Sequence, residues 1–109
     1  MSLRKEKVDS LIKQEIAELI TREVNFKPGI LVTVSKVDTS PDLRYTQIFV
    51  SVFPEKESDY AIKTLKKESF NLQGKLNKKI VMKPLPRIEF RLDPTEIKAD
   101  EVEKLLQQI

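Results

Sequence analysis

Residues 44–53, RYTQIFVSVF, alternate between two kinds of side chain with a period of two. One set is mostly apolar and consists of Thr46, Ile48, Val50 and Val52, and the other consists of Tyr45, Gln47, Phe49, Ser51 and Phe53. A period of two is that of a β-strand, whose successive side chains point to opposite faces of a sheet. The segment therefore predicts a strand in a sheet whose apolar face is covered by other elements.

The segments before this strand predict a helix and a hairpin. Apolar residues near the start of the chain recur every three or four positions, as in an amphipathic helix that ends near residues 25–29. This stripe consists of Val8, Leu11, Ile12, Ile16, Ala17, Leu19, Ile20 and Val24. Residues 30–37 are rich in β-branched side chains, and residues 38–43 contain the residue types of a turn. Residues 30–37 and 44–53 are therefore predicted to form a hairpin.

The segments after this strand predict another helix, a third strand and a terminal helix. Pro54 ends the hairpin, and helical spacing resumes near Ser58. The sequence RIEFRL at Arg87–Leu92 alternates again with a period of two and predicts the third strand. The terminal helix is indicated by the spacing of Val102, Leu105, Leu106 and Ile109.

The order of these elements indicates the fold class. A three-stranded sheet with helices on one face buries every apolar stripe, and a long helical connection lets the third strand run parallel to a neighbour through a right-handed crossover. We therefore predict an α+β fold with a mixed sheet. A chain of 109 residues is long enough for one hydrophobic core but not for two, so residues 1–109 are predicted to form a single domain.

Two missing residue types exclude several kinds of chemistry. The sequence contains neither cysteine nor histidine, which removes disulfides, zinc sites and histidine-based acid–base catalysis. Asp38 and Asp42 fit turn caps better than ligands of a cation. We therefore predict no catalytic residues, no metal site, no cofactor and no enzymatic activity. No apolar run approaches the roughly 18 residues that cross a bilayer, so a cytoplasmic protein without a membrane partner is expected.

A lysine-rich segment follows the predicted hairpin. It contains a single acid, Glu68, among Lys63, Lys66, Lys67, Lys75, Lys78, Lys79 and Lys83. Such a segment is typical either of a solvated helix face or of a surface that binds nucleic acid, and charge by itself does not decide between them. The net charge of +3 agrees with both interpretations.

Phe70 interrupts the helical pattern of this segment. On a continuous helix, counted at about 100° per residue, the buried stripe consists of Ala61, Leu65, Leu72 and Leu76. Phe70 falls on the opposite side, among lysines. One interpretation is that the helix breaks within residues 69–74, where helix-weakening residues accumulate, and that Phe70 turns inward. The other is that Phe70 is an exposed ring on which an unpaired base could stack. The first is favoured because pattern breaks in small domains usually serve packing.

Three segments of the chain carry family motifs. Residues 37–43, VDTSPDL, lead into IFVS at 48–51; PRIEF at 86–90 is followed by Asp93 and Thr95; and the terminal stripe runs from Val102 to Ile109. Together they resemble the strand, Ser-x-Asp-Leu turn and second strand, the Pro-x-Leu-x-Phe and Asp-x-Ser pattern, and the closing helix of the ribosome-binding factor A family. The resemblance covers nearly the whole chain.

The resemblance implies a type II KH-like domain with the order α-β-β-α-β-α. In the family, an Ala-x-Gly kink within the second helical region replaces the GxxG loop of KH domains. Here that kink falls on residues 68–70, with Phe70 in the place of glycine, and Gln73 stands where an arginine is common. The kink is therefore expected at Ser69-Phe70 or, displaced, at Gly74, unless it is absent.

The resemblance also implies a function. The family assists maturation of the small ribosomal subunit, so we predict an assembly factor that binds the immature 30S subunit through 16S rRNA and assists its maturation and rRNA processing. A monomer is expected when the protein is free, because all the predicted apolar stripes can be buried internally. The predicted RNA-binding residues are Arg4, Lys5, Lys63, Lys66, Lys67, Phe70, Lys75, Lys78, Lys79 and Lys83. The alternative is a protein-interaction module whose basic helix docks an acidic protein partner.

Overall fold

The described residues fold into helices and strands in the predicted order. The computed structural model describes residues 2–81 and 85–94. Its elements are α1 (Ser2–Glu23), β1 (Leu31–Thr39), β2 (Tyr45–Phe53), a 3-10 turn (Glu55–Glu57), α2 (Ser58–Lys79) and β3 (Arg87–Leu92). The predicted terminal helix, with Val102, Leu105, Leu106 and Ile109, lies outside the described residues.

The three strands form one mixed sheet with the order β1-β2-β3. β1 and β2 are antiparallel and pair from Leu31 opposite Phe53 to Thr39 opposite Thr46. β2 and β3 are parallel, and α2 provides the connection that crosses between them. The predictions of a hairpin, of a parallel third strand and of an α+β fold with a mixed sheet are therefore confirmed.

The hydrophobic core lies between the helices and one face of the sheet. α1 packs on β1, α2 packs on β2 and β3, and the two helices contact each other. The predicted apolar set of β2 is buried, because its side chains point toward the helices. The core consists of Val8, Ile12, Ile16, Leu19, Ile20, Val24, Val37, Ile48, Val50, Val52, Ala61, Leu65, Leu72, Leu76, Ile80, Ile88 and Phe90. Leu11, which the helical stripe included, is instead 44% exposed.

The favoured interpretation of the second helix is wrong. α2 continues without a break through Ser69, Phe70 and Gly74, and Phe70 is 93% exposed. The physical reason is packing: only a continuous helix keeps all four residues of the predicted stripe on one side, and each is fully buried. Burial of a leucine stabilises by about 1.5–3 kcal/mol, whereas a helix-weakening residue costs up to about 1 kcal/mol. Packing therefore outweighs local propensity.

Candidate nucleic-acid interface

The solvent side of α2 carries an exposed aromatic ring among lysines. We call this surface the lysine face, and it consists of Lys63, Lys66, Lys67, Phe70 and Lys78, all of which are exposed. Within the part of the chain that the structure describes, none of these four lysines lies in an ion pair. Their charges are therefore available to an external anion.

Two other lysines of the same helix face α1 instead. Lys75 Nζ lies 3.0 Å from Glu23 Oε1, and Lys79 Nζ lies 4.0 Å from Glu15 Oε2. On a helix of 3.6 residues per turn, both lysines project close to the buried stripe rather than toward Phe70. The structure thus separates Lys75 and Lys79 from the lysine face, and their charges are shared with acids of α1.

Arg4 and Lys5, the predicted basic residues near the start of the chain, differ in their contacts. Arg4 is exposed near the start of α1. Lys5 forms a double ion pair, with its Nζ 2.9 Å from Asp9 Oδ2 and 2.7 Å from Asp38 Oδ1. Asp9 also accepts a hydrogen bond from the Thr39 backbone N–H at 2.9 Å. Lys5 and Asp9 therefore join α1 to the end of β1. Lys83 lies outside the described residues.

The ion pair between Lys5 and Asp38 makes stability depend on pH. The hydrogen bond from Lys5 lowers the pKa of the Asp38 carboxyl, and the same bond raises the pKa of Lys5. A lowered pKa in the folded state contributes stability above the usual carboxyl range, and that contribution is lost as the pH falls through the folded pKa. Because the Asp38 side chain is 46% exposed, solvent screening limits the contribution to at most about 1 kcal/mol.

We expect Asp38→Asn to be less stable than the unmodified protein at neutral pH and equally stable in strong acid. The difference in unfolding free energy should shrink below about pH 4, where the carboxylate of the unmodified protein becomes protonated. Urea denaturation of both proteins across this range measures the difference. A difference that stays constant from neutral to acidic pH would exclude a contribution from the ion pair.

A groove lies between α2 and the outer edge of the sheet. It is lined by Lys66 and Ser69 of α2 and by residues 87–91 of β3. Two of its cations, Arg87 and Arg91, are exposed, and the sequence prediction of RNA-binding residues did not include them. Sequence periodicity could place them on one face of β3 but could not show that α2 runs beside that strand. The groove thus places two arginines, Arg87 and Arg91, beside Lys66 of the lysine face.

The side chain of Gln73 in α2 forms hydrogen bonds with the backbone at the edge of the sheet, close to this groove. Its Oε1 accepts a hydrogen bond from the Ile88 backbone N–H at 2.8 Å, and its Nε2 donates to the Pro86 carbonyl oxygen at 3.2 Å. β3 is an edge strand of the described sheet, so these backbone groups face away from β2. The side-chain amide therefore bonds as a neighbouring strand would.

We expect Gln73→Leu to lower the free energy of unfolding by about 1–2 kcal/mol, because both backbone groups lose their partner. The matched control is Asn77→Leu, one turn further along the helix, whose side chain is exposed and accepts a hydrogen bond only from Gln73 among the described residues. The control should change stability by less than about 0.5 kcal/mol. Equal effects of the two substitutions in urea denaturation would show that the bonds to β3 contribute nothing.

The described residues offer no metal site at this surface. Among residues 2–81 and 85–94, no group of three or more His, Cys, Asp or Glu side chains is placed to hold a metal ion. In the same part of the chain, no helix combines the length and apolar character needed to cross a membrane.

The lysines, the arginines and the exposed aromatic ring of this surface suit the binding of phosphates and bases.

The sequence of the chain is similar to that of one described protein family. The family model described as "Ribosome-binding factor A" matches residues 4–106 of the chain. A protein described as ribosome-binding factor A from Natranaerobius thermophilus is 34% identical over 108 residues, which cover 98% of this chain and 82% of that relative.

Solved structures give the same similarity. The crystal structure of ribosome-binding factor A from Thermus thermophilus has a TM-score of 0.69 at 29% identity, and the match covers 81% of this chain and 93% of that chain. A homology model of the Thermus thermophilus factor, fitted into a cryo-EM map of a 30S complex with that factor, has a TM-score of 0.65 at 30% identity; the match covers 76% of this chain and 88% of that chain. These similarities confirm the resemblance that the sequence motifs indicated, and the chain belongs to the ribosome-binding factor A family.

Proposed function

We propose that the protein binds the small ribosomal subunit through its 16S rRNA and, as a non-enzymatic assembly factor, assists maturation of that subunit and processing of the rRNA. The observation that carries the proposal is the lysine face, where lysines without an ion pair among the described residues surround a ring that is 93% exposed. The similar Thermus thermophilus factor has been fitted into the map of a 30S complex. Surface chemistry and family membership support the same function.

The lysine face contributes to binding mainly through phosphates. Lys63, Lys66, Lys67 and Lys78 pair with backbone phosphates and release the counterions that surround RNA. Such contacts position the protein on the RNA without reading its sequence. Binding therefore weakens steeply as the salt concentration rises, and the lysines contribute more to affinity than to sequence specificity.

Phe70 adds a different kind of contact. Its ring is exposed to solvent and flanked by Lys66 and Lys67, so an unpaired base can stack on the ring while its phosphates meet the ammonium groups. Lys66 also lines the groove beside β3, where Arg87 and Arg91 extend the positive surface. An RNA strand that leaves Phe70 can therefore follow this groove.

The other predicted residues have secondary parts in this proposal. Arg4 extends the basic surface, and Lys83, outside the described residues, stays a prediction. Lys5, Lys75 and Lys79 are already paired with acids of the protein, so their contribution to RNA binding is smaller. We further propose that residues 1–109 act as one RNA-binding domain in the cytoplasm and that the free protein is a monomer.

A competition experiment tests this function against docking of an acidic protein. The protein is bound to a fluorescent fragment of 16S rRNA and then titrated with the unlabelled fragment or with a polyglutamate peptide of comparable charge. The proposal expects displacement by RNA and little displacement by the peptide, because phosphate spacing and base stacking are absent from polyglutamate. Equally effective displacement by the peptide would favour the protein-interaction module instead.

A further inference from the structure

The sheet face that points away from α1 and α2 exposes a row of aromatic rings. Tyr45, Phe49 and Phe53 stand at every fourth residue of the central strand β2, about 13 Å apart along the strand. Tyr45 is 50% exposed, Phe53 is 69% exposed and Phe49 is partly exposed. Both described helices pack on the opposite face, so no described element covers these rings.

Cations on the two outer strands lie beside two of these rings. Lys36 of β1 places its Nζ 5.8 Å from the centroid of the Phe49 ring. The register of β3 sets Arg91 beside Phe49 and Arg87 beside Tyr45. We call this surface the open sheet face, and it consists of Lys36, Tyr45, Gln47, Phe49, Phe53, Arg87 and Arg91.

The strands bring two acids to the same face, and both are neutralised within the protein. Asp38 is paired with Lys5 at 2.7 Å, and Glu89 is paired with Arg91 at 3.7 Å. Lys36 and Arg87 have no ion pair within the residues that the structure describes. An approaching anion therefore meets positive charge beside aromatic rings, which a surface for an apolar protein partner would not require.

In a depression at one end of the open sheet face, hydrogen-bonding groups lie beside the ring of Tyr45. It is lined by Tyr45, Gln47, Glu89, Lys5 and the turn that begins at Asp38. The Gln47 amide offers both donors and an acceptor, which can meet the edge of a base that stacks on Tyr45. The same place thus combines a stacking ring with a hydrogen-bonding amide, beside the ion pair of Lys5 and Asp38.

From these observations we infer that the open sheet face binds a stretch of unpaired RNA, with bases stacked on Tyr45 and Phe49 and phosphates paired with Lys36 and Arg87. This site goes beyond the proposed function, because its rings lie on the side of the sheet opposite the two helices. Aromatic rings on a sheet with basic neighbours are a general solution for holding unpaired bases.

Binding of a short fluorescein-labelled oligouridine, followed by fluorescence anisotropy, tests the inference. The variant Tyr45→Val/Phe49→Val removes both rings but keeps residues that favour strands. We expect it to lower the affinity for oligouridine by about tenfold or more, because each stacked base contributes measurably. Leu31→Val is the matched control, since Leu31 is 63% exposed on the same face and has no ring; it should bind like the unmodified protein.

Two further variants separate this site from the lysine face and from a loss of folding. Tyr45→Phe/Phe49→Tyr retains both rings and should retain binding. Lys66→Gln/Lys67→Gln removes two phosphate contacts of the lysine face but keeps every ring of the open sheet face, so it should lower the affinity for oligouridine less than Tyr45→Val/Phe49→Val does. Thermal unfolding confirms that each variant is folded.

The results that would overturn the inference are distinct from those that would overturn the proposed function. Unchanged affinity in Tyr45→Val/Phe49→Val, with binding lost in Lys66→Gln/Lys67→Gln, would leave RNA on the lysine face and remove it from the open sheet face. No oligouridine binding by the unmodified protein, together with self-association that disappears in Tyr45→Val/Phe49→Val, would instead identify the face as a contact between copies of this chain.

Discussion

Leu72→Ala is expected to lower the free energy of unfolding by about 3 kcal/mol, whereas Phe70→Ala is expected to change it by less than about 0.5 kcal/mol. The two residues are near neighbours in α2, but Leu72 is fully buried and Phe70 is 93% exposed. Truncation of Leu72 leaves a cavity between α2 and the sheet. Truncation of Phe70 removes a ring that the described residues do not cover.

Urea denaturation of the two variants measures the difference in unfolding free energy. The comparison requires that the slope of unfolding free energy against urea concentration is the same in both variants. A cost for Phe70→Ala comparable to that of Leu72→Ala would mean that the helix bends and that Phe70 packs inward.

The same variant also tests the RNA interface: a folded Phe70→Ala protein should lose RNA affinity by about tenfold if a base stacks on the ring. Unchanged affinity would remove Phe70 from the interface.

Lys66→Glu/Lys67→Glu is expected to weaken binding to isolated small ribosomal subunits by a factor on the order of a hundred at low salt. Each lost phosphate contact lowers the dependence of log affinity on log salt by about one, so the slope should fall by about two. The reversed charges also repel nearby phosphates. Binding measured over a salt series gives both quantities.

The matched control is Lys13→Glu/Lys56→Glu, which changes the net charge by the same amount. Both control lysines are exposed, and both lie outside the lysine face, in α1 and in the 3-10 turn respectively. We expect only a small effect, arising from the general change in charge. If the control weakens binding as much as Lys66→Glu/Lys67→Glu does, binding follows overall charge and the lysine face has no particular part in it.

Local periodicity was sufficient to predict the sheet and the buried side of α2. The alternation in residues 44–53 and in Arg87–Leu92 corresponds to β2 and β3, and the stripe from Ala61 to Leu76 is fully buried. These features depend on spacing along the chain, which the sequence contains directly. The break in α2 was predicted from Ser69 and Gly74 as weak helix formers, and the packing of the leucines prevents it.

The division of the basic surface could not be predicted in the same way. It depends on contacts between distant residues: Lys75 with Glu23, Lys79 with Glu15, and Lys5 with Asp38. A sequence shows that such lysines are charged but not which acids the fold brings beside them. The role of Gln73 is similar, because its partners on β3 become neighbours only when α2 packs along the edge of the sheet.

Co-sedimentation of the purified protein with isolated small and large ribosomal subunits, titrated with salt, tests the proposed function most directly. We predict retention on the small subunit alone, with retention falling steeply as the salt concentration rises, because phosphate contacts dominate the affinity. Equal retention on both subunits, or retention on neither, would contradict a specific interaction with the small subunit and would leave the lysine face as a basic surface with another partner.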